Sequence, residues 1–364
     1  MKRKKTNVFY LILVLLTISA DFLPAQDVNN LLLRNYRPKS LYKIPVSQVR
    51  KAAFPVIDMH SHPYARSEAE IAEWVRIMDS CGIQKTIILS MATGAEFDSI
   101  MDLYGKYGDR FEVWCGLDYT GYDTPDFPAS AIRELERCYK KGARGVGELG
   151  DKGLGLFYSH PVPAWGMHID DPCLKPVFQK CAELHMPVNI HVADPIWMYE
   201  KMDSTNDGLM NAYEWKIDLS KPGILDLDQL VQTLENAVRE NPKTIFIACH
   251  FANLNHDLER LGKMFDNYPN LYADISARYA ESATIPRYMQ NFYKKYQDRL
   301  LYGTDMGFAS SMYRVTFRIL ETADEHFYEI GQFGYHWALH GFALPHNVLK
   351  KIYNTNAVRI LGRN

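Results

Sequence analysis

Residues 54–62 read FPVIDMHSH, an apolar run that ends in two histidines one residue apart. Its first half has the branched and aromatic content of a strand buried on both faces, and its polar residues fall where such a strand would end. Seven further runs of the same kind lie at 86–91, 111–117, 143–149, 187–192, 244–249, 271–275 and 300–304. Amphipathic stretches at 67–81, 129–141, 174–185, 226–240 and 256–268 separate them as candidate helices. Ser67 with Glu70 forms the pattern of a capping box, and Gly82 and Gly142 are helix stops. Most strand starts fall about 30 residues apart, the size of a βαβ unit. Eight such units predict an α/β fold closed as a (β/α)8 TIM barrel rather than an open, doubly wound sheet. The spacing stretches over 150–173 and 193–225, so long loops are expected after strands four and five, at the mouth where barrel enzymes do chemistry.

Polar residues recur at the strand ends. His60 and His62 close strand one in IDMHSH, Glu148 strand four in GVGEL, His191 strand five in VNIH, His250 strand six in IACH, and Asp305 strand eight in YGTD. An H-x-H pair alone arises by chance on the order of 0.4 times in a chain of this length and histidine content. A histidine or carboxylate at the end of five strands is far harder to obtain by accident. Residues two apart on a strand face the same side, so His60 and His62 both point into the mouth while Ser61 points away. Imidazole and carboxylate donors together suit Zn²⁺, Mn²⁺ or Fe²⁺ in an open, catalytic site. Asp58 is placed to orient a histidine ring rather than to bind metal.

On these residues the chain resembles the amidohydrolase superfamily, in the amidohydrolase-related branch that includes decarboxylases, lactonases and hydratases. The resemblance rests on IDMHSH, GVGEL, VNIH, IACH and YGTD in that order, with the closing NAVRILG, and it runs from Phe54 to the C-terminus. It implies one divalent metal, Zn²⁺ first and Mn²⁺ or Fe²⁺ as alternatives, held by His60, His62, His191 and Asp305. His250 is then a catalytic histidine or a ligand of a second metal. Glu148 is ambiguous, because related barrels use a carboxylate at this strand to bridge two ions while many in this branch do not. If it bridges, His60, His62 and Asp305 hold one ion and His191 and His250 the other.

Such a site activates water and polarises a substrate oxygen. Asp305 is expected to move the proton, and His250 to stabilise the oxyanion or act as acid, giving hydrolysis of an ester, lactone or amide. The same groups could serve a lyase acting on a sugar acid or unsaturated uronic acid, by decarboxylation or loss of water. A non-catalytic binding protein on the same scaffold is the third reading, disfavoured because every expected position is occupied. The two mouth loops carry Lys152, Trp165, Trp197 and Tyr199, which are candidate substrate contacts for sugar rings and acids, or else merely close the loops' own small core. Arg278 is the preferred anion clamp, with a surface ion pair as its plainer reading. The substrate expected is a small molecule or oligosaccharide, a carbohydrate-derived acid or lactone.

Composition narrows the remaining classes. The chain has 364 residues, 47% hydrophobic and 23% charged, which excludes a disordered or collagen-like class. A formal charge of −2 offers no electrostatic footprint for nucleic acid. Lys2, Arg3, Lys4 and Lys5 precede an apolar run from Val8 to Ala20, then Leu23-Pro24-Ala25, the pattern of a secretory signal peptide over 1–25. Export to the periplasm or beyond is therefore expected, with no membrane attachment after cleavage. Residues 26–53 form an N-terminal arm and 54–364 the barrel domain; a homo-oligomer stays open. The six cysteines, none in a C-x-x-C pair, read mostly as buried free thiols.

Overall fold

A computed structural model of the chain describes residues 27–152, 156–158 and 164–362. The expected signal peptide and His160 of the first mouth loop lie outside these residues. Two compact units divide it, 1–36 and 37–364. In the first, the Asp27 carboxylate accepts from Asn29 and Asn30, and a 3-10 turn spans Leu33–Asn35.

Among the described residues the second unit holds ten strands: β1 Val56–Ser61, β2 Ile83–Leu89, β3 Phe111–Trp114, β4 Val146–Asp151, β5 Leu156–Tyr158, β6 Ala164–Trp165, β7 Val188–Val192, β8 Phe246–Ala248, β9 Leu271–Asp274 and β10 Leu300–Leu301. Eight of them are the expected barrel strands, all parallel, in the sections β1-β2-β3 and β10-β9-β8-β7-β4. Backbone hydrogen bonds join the two sections at both ends. Cys115 N–H donates to the Gly145 carbonyl (3.1 Å) and Gly147 N–H to the Cys115 carbonyl (2.8 Å) between β3 and β4. At the other seam Met59 N–H reaches the Tyr302 carbonyl (2.9 Å), and the His60 carbonyl accepts from Thr304 (3.1 Å) and Asp305 (2.9 Å). The ring β1-β2-β3-β4-β7-β8-β9-β10 is thus closed as a TIM barrel. β5 and β6 form an antiparallel hairpin on the edge of β4, inside the first long loop.

Helices α1 Glu68–Cys81, α2 Gly94–Tyr104, α3 Phe127–Lys141 and α4 Lys175–Glu183 follow the early barrel strands. A short α5, Leu209–Trp215, sits in the second long loop. Then come α6 Leu227–Glu240, α7 Leu258–Asn267, α8 Tyr279–Ser282, α9 Pro286–Lys295 and α10 Ser310–Glu321. Ser67 Oγ accepts from the Glu70 amide at the start of α1, and Gly82 ends it in the left-handed region at φ 84°. α6 carries a complete capping box from Asp226 and Gln229.

The core has two layers. Ile57, Met59, Ile87, Leu89, Trp114, Ile247 and Leu301 fill the barrel, floored by Ala357 and Ile360 of the C-terminal helix. A larger cluster lies between strands and helices. Gly145 makes room for the indole of Trp114, since a Cβ there would stand 2.2 Å from the ring. The arm from residue 37 is irregular, and Ser47 ties it to the Asp324 carboxylate beyond α10 through its N–H (2.9 Å) and Oγ (2.7 Å). All six cysteines are free, five of them buried, as expected.

Candidate metal centre

The barrel strands lose regular geometry just where they deliver polar side chains. The β1–β2 ladder shifts register between Asp58 and Ser61, and the β4–β7 ladder shifts between Val146 and Leu149. Such irregularities re-aim a side chain, and here the first precedes His62 and the second spans Glu148. Beyond them, Met91, Ala193, His250, Ala277 and Asp305 follow β2, β7, β8, β9 and β10 with φ between 54° and 61°. Left-handed backbone is costly for residues with a Cβ, so its recurrence around one mouth points to geometric demand there. His250 begins a run of four such residues through Asn253. The Asn253 side chain braces that run, donating to the carbonyls of Val192 (2.9 Å) and Ala193 (3.1 Å).

Three imidazoles present the same nitrogen to one place. His60 Nδ1 bonds the Asp274 carboxylate (2.9 Å), His62 Nδ1 the Leu89 carbonyl (2.9 Å) and His250 Nδ1 the Ser276 carbonyl (2.9 Å). Each acceptor requires a proton on Nδ1, so whenever the ring is neutral its lone pair sits on Nε2. His62 Nε2 lies 3.1 Å from Asp305 Oδ1 and 3.3 Å from Glu148 Oε2. His60 Nε2 lies 3.7 Å from both carboxylates, and His250 Nε2 lies 3.8 Å from Glu148 and 3.6 Å from Asp305. His60 Nε2 is buried and has no hydrogen-bond partner. A buried nitrogen lone pair left bare among carboxylates fits a cation between them, so the donor set suits a divalent metal. Gly303 permits this approach of the seam, because a Cβ on it would stand 2.8 Å from that of His60.

The electrostatics agree. Burial would depress the His62 imidazole, but the hydrogen bonds its ring donates to Asp305 and Glu148 outweigh it and raise its pKa to about 9. Burial opposes charge on His60 as well, yet Asp274 and Asp305 hold it well above the ordinary range. Burial opposes ionisation of Glu148 too, but the neighbouring His191 holds its carboxyl well below the usual carboxylate range. The pocket therefore favours positive charge, supplied by protons or by a metal. His250 is the exception, since burial lowers it to about 4 and it stays a neutral imidazole. A neutral ring with Nδ1–H committed to Ser276 has no proton to give on Nε2. That geometry suits His250 to ligation or to accepting a proton.

His191 is present but differently engaged. Its Nδ1 meets Glu148 Oε1 at 2.6 Å and its Nε2 meets the Ala193 carbonyl at 3.0 Å, so it reaches the cluster through Glu148. Asp58 does not orient a histidine ring. The register shift after it breaks the two-residue alternation, and its carboxylate instead accepts from Thr304 Oγ1 (2.7 Å), Thr304 N (3.1 Å) and His60 N (3.2 Å). Burial pushes that carboxyl up to about 7. The ring-orienting acceptor is Asp274, which sequence reasoning left inside an apolar strand. Besides the His60 ring it takes the amides of His250 (3.0 Å) and Ser276 (3.1 Å) and Asn189 Nδ2 (3.2 Å).

A cavity of about 280 Å³ opens from His250 and Asp305 and is lined by Lys152, Arg278 and Trp215, among others. Lys152 lies 3.4 Å from Asp194 and 5.4 Å from the centre of the Trp215 ring. The expected aromatic contacts fall elsewhere. Trp165 is exposed on the hairpin and does not line the cavity. Trp197 donates to Asp207 and packs 5.5 Å from Trp337, and the Tyr199 hydroxyl accepts from the Asp194 amide (3.2 Å). These two serve the loop's own packing, and Trp215 is the loop aromatic at the mouth.

Residues 57–363 match the family profile described as amidohydrolase. The chain belongs to the amidohydrolase family. This amidohydrolase has the fold of a Staphylococcus aureus protein assigned as an amidohydrolase, with TM-score 0.53 and 16% identity over 85% of this chain and 100% of that one. It is equally similar to a dihydroxybenzoic acid decarboxylase from a Polaromonas species, solved with bound manganese and the inhibitor 2-nitroresorcinol. There the TM-score is 0.53 and the identity 16%, over 85% of this chain and 97% of that one. No curated protein matches the amidohydrolase significantly in sequence.

Proposed function

We propose that this amidohydrolase is a metal-dependent hydrolase that opens an ester, lactone or amide bond in a small, carbohydrate-derived acid. The observation that carries the reading is the convergence of three imidazole Nε2 atoms and two carboxylates on one buried point at the barrel mouth. In this assignment His60, His62 and Asp305 hold one divalent ion, Zn²⁺ first and Mn²⁺ or Fe²⁺ as alternatives, while Glu148 and His250 complete the set or hold a second. An ion held by these residues would supply a water of lowered pKa and a Lewis acid for a substrate oxygen. Asp305 takes the proton as the water attacks and returns it to the leaving group. The Tyr64 hydroxyl, 3.2 Å from Asp305 Oδ1, fixes the orientation of that carboxylate. Arg278 holds the substrate's carboxylate, and Trp215 with Lys152 covers its other side. The N-terminal segment directs export, and the mature enzyme works outside the cytoplasm on a scavenged substrate.

One observation favours a lyase as the second reading. Arg278 and His250 line the same cavity, so a carboxylate on the arginine lies close to the cluster, as loss of carbon dioxide or water requires. The manganese-containing decarboxylase of the same fold is a precedent for that chemistry. Incubation with aryl esters, sugar lactones and unsaturated uronic acids in isotope-labelled water separates the two. Label in the product supports hydrolysis; loss of carbon dioxide or water without label overturns it. Less than one equivalent of transition metal in purified protein, with no effect of His60→Ala, would sink both readings.

A further inference from the structure

The mouth cavity has a polar corner that the metal cluster leaves unused. Arg278 is held rigidly there, with Nε donating to Asn253 Oδ1 (2.8 Å) and Nη1 to the Ala277 carbonyl (3.2 Å). Among the described residues its Nη2 has no hydrogen-bond partner. Glu281, three residues on, lines the same cavity with its side chain only 1% exposed. Its Oε1 accepts from the Tyr335 hydroxyl (3.0 Å), and that ring is locked by stacking on Trp337 at 4.0 Å. Its Oε2 is buried without a partner.

A purely structural ion pair would close. Here Arg278 Nη1 stays 3.6 Å from Glu281 Oε1, because the tie to Asn253 holds the guanidinium back. Both groups therefore keep unspent hydrogen-bonding capacity beside one cavity. We propose that Glu281 is a specificity-determining residue that binds a hydroxyl group of the same small acid whose carboxylate Arg278 holds, which makes the substrate class hydroxycarboxylic acids. The inference rests on the reading of Arg278 as the carboxylate clamp. A hydroxyl fits better than an ammonium group, since it donates to an ionised carboxyl and also accepts from a protonated one. Burial raises the Glu281 carboxyl.

The test is calorimetric titration of the metal-loaded full chain with paired acids: propanoate and lactate, succinate and malate, benzoate and salicylate, hexanoate and gluconate. In at least one pair the hydroxylated acid should bind about tenfold or more tightly than its partner, the worth of a hydrogen bond to a charged acceptor. Glu281→Ala should bring that preference within about twofold, and Glu281→Gln should keep part of it. Melting temperatures identify a variant that fails to fold, and the near-isosteric Gln variant then carries the test through its reduced preference. Absence of preference in the wild type, or its survival undiminished in both variants, overturns the proposal. Arg278→Met should weaken both members of each pair alike. If it leaves the plain acids unaffected, or if no acid binds the wild type, the carboxylate clamp itself fails, a result distinct from failure at Glu281.

Discussion

Asp274→Asn isolates the residue that organises the metal cluster. Asparagine keeps the shape and one acceptor oxygen but removes the charge that faces the His60 ring and the His250 amide. Burial opposes ionisation of Asp274, yet His60 and the surrounding donors hold its carboxyl near pKa 2 against an ordinary 3.8. That difference corresponds to about 2.5 kcal/mol of stability. A depressed carboxyl contributes fully above its unfolded pKa, and the contribution fades as pH falls toward the folded one. The gap between wild type and variant should therefore be level between about pH 5 and 6 and close as the pH approaches about 2. Loss of the ring-orienting acceptor should also weaken metal binding about 10- to 100-fold. Urea unfolding of the metal-free proteins across pH measures the first effect, and competition against a chelator measures the second. A variant that loses less than about 0.5 kcal/mol at neutral pH and keeps its metal as tightly as wild type would refute the role of Asp274.

Other substitutions test neighbouring parts. With a single ion on His60, His62 and Asp305, Glu148→Gln should leave the metal stoichiometry unchanged while lowering turnover; a halved metal content by elemental analysis would instead mark a bridging carboxylate. Asn253→Ala removes two buried hydrogen bonds and a part-buried one and should cost about 2–4 kcal/mol in chemical denaturation, with an accompanying loss of turnover as His250 is displaced. Ala252→Gly and Ala277→Gly relieve left-handed backbone at φ 53° and 54°. Each should gain about 0.5–1 kcal/mol, the relief being partly offset by the freer unfolded chain, and lower stability in both would count against strain at the mouth.

The parts legible in the sequence were those carried by periodicity. Every predicted barrel strand overlaps an observed one, and the residues at strand ends, His60, His62, Glu148, His250 and Asp305, meet because parallel strands all deliver their C-terminal ends to one mouth. What was hidden depends on departures from periodicity. The register shifts in β1 and β4 carry no composition mark, so the sequence points Asp58 at a histidine ring when its carboxylate in fact meets Thr304 and the His60 amide. Asp274 was obscured by the apolar residues around it. The choice of Trp215 over Trp197 follows from how α5 and the C-terminal loop pack together, a contact between segments more than a hundred residues apart.

The seam of the barrel has a consequence for when the metal can arrive. His60 and His62 stand on the first strand, Asp305 just past the last, and the His60 carbonyl receives the amides that close the ring. No partial chain can assemble this ligand set, so the site comes into being only when synthesis has passed residue 305 and the final strand has docked. A metal bound there acts as a clasp on a completed barrel, and its binding free energy adds directly to the stability of the closed form. Because donors of this type discriminate weakly among first-row divalent ions, the ion taken is the one available where closure happens.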